Sequence, residues 1–336
     1  MIGYYVHHQG RGHVHRAQAL AAALDECVTV LSSVPRPSDW RGPWVLLPRD
    51  DNQRAPADVT AGGQLHWVPA GDPGLRARSA AVSAWLESAR PRLVIVDVSV
   101  EVALLVRLHG VPVVSVLLPG RRTDPAHLLG LRASSVLVTF FPLPARQLVP
   151  GLPDDIARRV VSLGAVSRFP NVPAREPVGG GPRHVLVLLG QGGGSMAPDD
   201  ATALRSLAPD WRWTVAGGPD SWVADVSSAL RACDVVVTNA GESALADVAA
   251  HRRPAIVVPA ERPYDEQAIT ASALGAADCP AIVLPRFPDA GWPDLLDRAA
   301  ALDGSRWQGW CDGLAQHRFA AMISDAGDEP VDLRSA

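Results

Sequence analysis

No lysine occurs in the 336 residues; all 31 basic side chains are arginines. That excludes Schiff-base and pyridoxal chemistry, and it excludes the lysine of a Walker A phosphate loop. Cysteine is scarce. Cys27, Cys233, Cys279 and Cys311 lie too far apart for a CxxC pair or a zinc spacing, so they read as reduced packing residues. No apolar run approaches ~18 residues, so no bilayer span is expected. No charged and apolar leader precedes the first strand-like run, which with the reduced cysteines predicts a cytoplasmic protein. The net charge is −4 and no basic block stands out, so nucleic acid is not an expected partner.

What is present reads as α/β. Hydrophobic residues make up 47 % of the chain, ample for buried cores, and the length favours two domains. Apolar β-rich runs at 3–7, 28–31, 93–97, 113–117, 136–140, 184–190, 213–216, 235–238 and 255–259 alternate with helical stretches at 15–24, 79–89, 100–108, 241–250, 266–274 and 292–302. Strands apolar throughout, each followed by a helix, predict parallel sheets covered on both faces. The stretch 169–183, FPNVPAREPVGGGPR, is rich in Pro and Gly without a period and reads as a linker. The expected organisation is therefore a first domain at 1–168, the linker, and a second domain at 184–304. The segment 305–336 then carries a helix that returns to the first domain and a frayed tail. In such folds ligands sit where strand C-termini meet loops, so both glycine loops are expected to face one cleft.

Two glycine loops open the two halves alike. The first, Gly10-Arg11-Gly12-His13, follows GYYV and runs into an Ala/Leu helix. The second, Gly190-Gln191-Gly192-Gly193-Gly194-Ser195, follows HVLVLL. Glycines let backbone N–H groups approach an anion, and a helix N-terminus adds positive potential. A tight turn without a ligand is the plain alternative. In the second half a strand ends at Thr238, and Asn239-Ala240-Gly241 turns into a helix with Glu242 and Ser243 in its first turn. Asp247 follows Gly241 by six residues, and Asp265 and Gln267 lie beyond the strand AIVVP. Carboxylates and amides in such loops bind sugar hydroxyls; ordinary helix capping and a solvated Asp-Glu pair are the alternative.

Taken together, Gly241, Asp247, the stretch Arg253-Pro254 to Pro259, and Asp265 with Gln267 resemble the donor domain of GT-B glycosyltransferases. The resemblance is closest to family 28, the bacterial peptidoglycan N-acetylglucosaminyltransferases. The opening Gly10-Arg11-Gly12-His13 resembles the same family. That resemblance implies two Rossmann-like domains and a nucleotide-diphosphate sugar as co-substrate, UDP or dTDP, with no metal and no other cofactor. It assigns Asp247 to the ribose hydroxyls, Asp265 and Gln267 to the donor sugar, and the backbone of Gly241 to Ala244 to the diphosphate. The loop residues Gly190, Gly192, Gly193 and Ser195, with Asn239, Glu242 and Ser243, complete the donor set. Arg11, Gly12 and Arg168 fall to the diphosphate. Three departures stand out: Asp247 replaces the usual Glu, Arg253 stands at the family's glycine, and Ala271 replaces a frequent Asn.

His13 is the expected general base. A helix N-terminus disfavours an imidazolium, and inverting transfer needs one deprotonation of the acceptor as it attacks the anomeric carbon. His7, His8 and His15 read as structural, and no local carboxylate or cysteine joins them into a metal site. Asp97 ends the strand LVIVD and either orients His13 or caps the helix near Val100. Asp50-Asp51 and Asp199-Asp200 read as solvated pairs rather than a metal-binding DxD. The segment from Gly12 to Ala17 also resembles the opening of UDP-sugar hydrolases, in which His13 would activate water. A nucleotide-sugar-binding protein without turnover is a further alternative. The acceptor, a hydroxyl or amine on a small molecule or a lipid-linked one, is not legible. Leu128-Leu129 beside Arg121, Arg122 and Arg132 offers a weak basis for peripheral membrane contact.

Overall fold

Seven parallel strands form the first sheet, and the sequence explains why the inner ones lie inside it. The computed structural model describes residues 1–8, 12–52, 55–174, 183–189, 201–217 and 225–325. The strands are β1 (Ile2–Val6), β2 (Val28–Ser32), β3 (Trp44–Leu46), β4 (Leu93–Asp97), β5 (Val113–Val116), β6 (Val136–Thr139) and β7 (Val160–Ser162). Their order is β3-β2-β1-β4-β5-β6-β7, every pair parallel. β1, β2, β4, β5 and β6 are buried residue by residue. That burial is why they read as continuous apolar runs rather than alternating ones.

Helices cover the sheet. Val82 and Leu86 of the helix Pro73–Ala89, and Val102, Ala103 and Val106 of the helix Val100–Leu108, pack on Tyr5, Leu31, Val94 and Val96. Both helices start on caps. Asp72 Oδ1 accepts from Leu75 N at 2.6 Å with Pro73 in the first position, and Ser99 Oγ accepts from Val102 N at 3.2 Å. Each cap is worth about 1 kcal/mol.

The second sheet holds β8 (His184–Leu188), β9 (Arg212–Ala216), β10 (Val235–Thr238), β11 (Ala255–Val257) and β12 (Ala281–Val283), all parallel, in the order β12-β11-β10-β8-β9. Its core joins Val185, Val187, Val235, Val237 and Ile256 to Trp213, Trp292, Leu296 and Ala299. The Trp213 and Trp292 rings meet edge to face at 5.4 Å.

The contacts divide the chain into two compact units. Met1–Phe140, Val149–Leu163 and the chain from Gln316 form one; Phe141–Leu148 and Gly164–Ala315 form the other. The boundary thus follows Leu163 rather than Arg168, and Phe141–Leu148 goes with the second unit. The helix Ala315–Asp325 belongs almost wholly to the first: Phe319 packs on Phe140, and Arg318 Nη1 donates to Leu163 O at 2.8 Å. Most of the expected linker, residues 175–182, lies outside the described residues. Among the described residues no helix is long and apolar enough to cross a membrane.

Candidate active site

Strand connections in the first sheet run one way from β1 through β2 to β3 and the other way from β4 to β7. The switch point of this doubly wound sheet therefore lies between β1 and β4, where such folds bind ligands at the strand C-termini. Register sets Val6 beside Asp97, so the two strands end level. The helix Gly12–Ala23 follows β1, and its first turn carries His13.

His13 Nδ1 lies 3.0 Å from Asp97 Oδ1. A carboxylate only accepts, so Nδ1 carries the proton and Nε2 holds a lone pair. Asp97 is fully buried and is gripped by Arg16, with Nε donating to Oδ2 at 3.0 Å and Nη2 to Oδ1 at 2.7 Å. Arg16 Nη2 also lies 3.1 Å from His13 Nδ1, and Tyr4 OH donates to Asp97 Oδ2 at 3.4 Å. Burial by itself would raise the Asp97 pKa. Arg16 and His13 outweigh it and hold the carboxyl well below the usual carboxylate range.

The capping alternative for Asp97 is resolved by geometry, since Ser99 caps the next helix. Between the two residues, Val98 adopts a left-handed φ of 66°. A β-branched residue there is strained by about 1–3 kcal/mol. That turn lets the helix begin at once while Asp97 stays inward.

Around His13, the His7 ring stands edge-on at 6.1 Å and stacks on His8 at 4.8 Å. Burial, then the neighbouring His13 and His8, push the His7 pKa down to about 3, so that ring is neutral at ordinary pH.

The second sheet switches direction between β8 and β10. The loop after β8, with Gly190, Gly192, Gly193 and Ser195, lies outside the described residues, as does Arg11. After β10, Asn239 Oδ1 accepts from Gly241 N at 3.1 Å. A Cβ at Gly241 would meet that oxygen at 3.0 Å, a tight approach that glycine avoids. Gly241 caps the helix Glu242–Ala250, with Glu242 and Ser243 in its first turn. Because Asn239 takes the Gly241 amide, the amides that an anion would meet begin at Glu242 rather than Gly241.

Gln267 differs from its expected part. It is buried, and its Oε1 accepts from Ala240 N at 3.1 Å and from Ala260 N at 2.9 Å. The oxygen thus ties the loop after β10 to the loop after β11, and only Nε2, beside Gly241, remains to meet a sugar. Tyr264 and Asp265, just before it, are consecutive left-handed residues at φ 60° and 55°. Asp265 is exposed and ends this strained turn at the head of the helix Glu266–Ala276.

Asp247 and Arg168, assigned separately to ribose and diphosphate, here bond to each other. Arg168 Nε donates to Asp247 Oδ2 at 2.9 Å, and Ser167 Oγ donates to Oδ1 at 2.8 Å. Arg168 also stacks over Phe169 at 4.7 Å. Burial dominates at Asp247 and raises its pKa despite Arg168.

Of the pair Arg252-Arg253, the residue with a left-handed backbone is Arg252, at φ 55°. Its guanidinium compensates by donating to Ala249 O and Cys311 O, both at 2.8 Å, which caps the preceding helix. Asp50 is buried rather than solvated, while Asp199-Asp200 lies outside the described residues.

Sequence reading missed Arg16 as a partner of Asp97, although its place three residues after His13 on a helix puts both on one face. It also missed a cluster with no local signal. Asp124 Oδ1 accepts from His66 Nε2 at 3.0 Å and Asp124 Oδ2 from His127 Nδ1 at 2.5 Å, while Arg122 Nη1 donates to His127 Nε2 at 3.1 Å.

Comparison with known proteins bears on the fold and on the second unit. Residues 221–284 match the glycosyltransferase family 28 C-terminal domain. No curated protein matches the sequence. Among solved structures, the glycosyltransferase of kitacinnamycin is similar at a TM-score of 0.63 and 17 % identity, covering 96 % of this chain and 98 % of its own. Acinetobacter baumannii MurG follows at 0.61 and 14 %, covering 96 % and 99 %. Glycosyltransferase VinC in complex with dTDP follows at 0.58 and 18 %, covering 97 % and 99 %. These likenesses establish the GT-B architecture of two parallel-sheet domains.

Proposed function

We propose that this chain, whose residues 221–284 match the glycosyltransferase family 28 C-terminal domain on a GT-B fold, is an inverting, metal-independent glycosyltransferase that moves a sugar from a nucleoside-diphosphate donor to an acceptor hydroxyl or amine. The observation that carries the proposal is the buried His13–Asp97–Arg16 constellation at the switch point of the first sheet. Asp97 fixes the His13 tautomer and stabilises the imidazolium formed when Nε2 takes the acceptor proton. Arg16 keeps Asp97 ionised, so the carboxylate stays an acceptor throughout.

In the second unit the nucleotide falls to the residues around Gly241. First-turn amides from Glu242 onward, at the positive end of a nine-residue helix, suit the developing charge on the departing diphosphate. Asp247 takes the ribose hydroxyls, and Arg168 leaves it for the diphosphate. Binding is then a partner exchange: both groups are satisfied by each other beforehand and by the ligand afterwards. UDP and dTDP are the expected nucleotides, dTDP being the one bound in the VinC structure. Gln267 holds the sugar loop in shape and offers the sugar only its Nε2.

The test is calorimetric titration with UDP, dTDP, GDP and CMP, followed by nucleotide release with and without acceptors. Saturable binding of one diphosphate, and release that depends on an acceptor, are expected. No binding by any nucleotide overturns the proposal. A second reading, hydrolysis of the nucleotide sugar, draws on the Gly12-His13-Val14-x-Arg16 spacing, whose Arg16 grips Asp97. Sugar release at full rate in the absence of any acceptor would establish it instead.

A further inference from the structure

One group of polar side chains beside His13 is incomplete. His8 follows β1, and Asp50 and Asp51 follow β3, so all three stand at the carboxyl edge that carries His13. Each brings one polar atom within 4.8 Å of the others. His8 Nε2 lies 3.2 Å from Asp51 Oδ2, and Arg49 Nε donates to Asp51 Oδ1 at 2.8 Å. His8 Nδ1 and Asp50 Oδ1, however, are buried and meet no hydrogen-bonding partner among the described residues. The His8 side chain is 8 % exposed and that of Asp50 12 %, so water does not reach either freely. An unpaired buried acceptor is costly, and a ligand that supplies the missing donor removes that cost.

Chemistry limits what that ligand is. Asp51 can only accept, so His8 Nε2 carries a proton, and in that tautomer of the uncharged imidazole the lone pair stands at Nδ1. Asp50 Oδ1 is likewise an acceptor. The site therefore asks for hydrogen-bond donors. A metal dication fits poorly. Arg49 holds Asp51 through two nitrogens, and Arg78 Nε lies 3.6 Å from Asp50 Oδ2, so two guanidiniums already occupy the outer side of the carboxylates. The His66–Asp124–His127 cluster, by contrast, is fully satisfied as it stands, with Arg122 fixing the His127 proton on Nδ1.

Position links the open site to the reaction. The His7 ring neighbours both His8, at 4.8 Å between ring centres, and His13, at 6.1 Å, and Asp50 groups with His8. We infer that His8 and Asp50 form an acceptor subsite for a hydrogen-bond donor, a hydroxyl or an ammonium, carried by the acceptor beside the group that His13 deprotonates. The acceptor is then polyhydroxylated or amino-substituted at neighbouring positions, rather than a lone alcohol on an apolar body. This inference rests on the glycosyltransferase reading above.

The experiment uses acceptor probes in matched sets: methyl hexosides, deoxy counterparts lacking one hydroxyl, and counterparts bearing an amine at that position. Wild-type enzyme is expected to use at least one intact or amino member about tenfold better in kcat/KM than its deoxy partner. Asp50→Asn and His8→Phe are each expected to bring that ratio to about one. Because the ratio is taken within each variant, partial misfolding does not move it. Preference for the hydroxyl or the amine member tells which donor is read. A ratio that survives both substitutions, or a wild type that uses no member better than its deoxy partner, overturns the inference. So does calorimetric binding of Zn²⁺ or Mn²⁺ that Asp50→Asn abolishes. Failure of the parent reading is separate, since it appears as absence of nucleotide binding.

Discussion

Asp97 and Asp247 are nearly the same object in the two units: a buried aspartate with an arginine at hydrogen-bond distance. Their carboxyl groups respond in opposite directions. Asp97 is held below the usual carboxylate range, and Asp247 is raised above it. The difference lies in what surrounds the guanidinium. Arg16 is 6 % exposed, reaches Asp97 through two nitrogens and shares it with His13, whereas Arg168 is 34 % exposed and reaches Asp247 through one. A buried two-point pair overcomes desolvation; a single contact open to water is screened and does not. Asp97 is therefore a permanent part of the scaffold, and Asp247 is a carboxylate ready to change partners.

The sharpest way to separate the two regions is His13→Ala. Loss of the base is expected to slow transfer about 10²–10⁴-fold. Nucleotide affinity, proposed for the other unit, is expected to stay unchanged by calorimetry; a parallel loss of affinity would break the division of labour. Next in size is Asp97→Asn, which strands the Arg16 charge and is expected to cost about 3–5 kcal/mol in urea unfolding. Adding Arg16→Met should restore part of that loss, and a double variant no better than the single one refutes the buried-pair account.

Gln267→Met removes the acceptor shared by Ala240 N and Ala260 N. A cost of about 1–3 kcal/mol for an amide left unpaired is expected, with nucleotide affinity falling alongside. If stability holds and only sugar selection changes, Gln267 is a sugar ligand and not a loop tie.

The smallest effect is expected at Asp247→Asn: a stability change within about 1 kcal/mol, and nucleotide affinity lowered about tenfold. The two aspartates should also part company with pH. Asp97, depressed in the folded state, contributes stability that is full above the ordinary value of about 3.9 and is lost as pH falls through its folded pKa. Asp247, raised, contributes stability that is present below about 3.9 and is lost as pH rises through its folded pKa. Unfolding free energies of wild type and each asparagine variant at several pH values give the two slopes. Slopes of the same sign would refute the comparison.

Much of the framework was legible because burial leaves a plain mark. β4 and β10 match their expected bounds residue for residue, since every position is buried and all but the last of each, Asp97 and Thr238, are apolar. The strands that sequence reading missed, β3, β7 and β12, are each three residues long, lie at sheet edges and are only partly buried. An edge strand is held by backbone bonds on one side only, and at three residues its apolar run is too short to read as a strand. The helix Pro73–Ala89 begins six residues before the expected start, because its Asp72 cap and Pro73 carry the signal rather than its apolar face.

Within the site, His13 and Asp97 were legible from their places after β1 and at the end of β4. Arg252, Asp50 and the Asp247–Arg168 bond were not. Each depends on a partner distant in the chain: Cys311 for Arg252, Arg78 for Asp50, and the stretch before the linker for Asp247.

By itself, then, the sequence determined the sheet order's ingredients and the residue types at the turns. Apolar runs must be buried, and a residue without a Cβ suits the turn where the Asn239 side chain approaches Gly241. Tertiary structure alone decided the state of the polar groups. Whether an aspartate is an ion held well below the usual range, a carboxyl raised above it, or an acceptor still lacking its donor depends on how many distant charges and amides converge on it in a dry environment, and chain neighbours do not report that number.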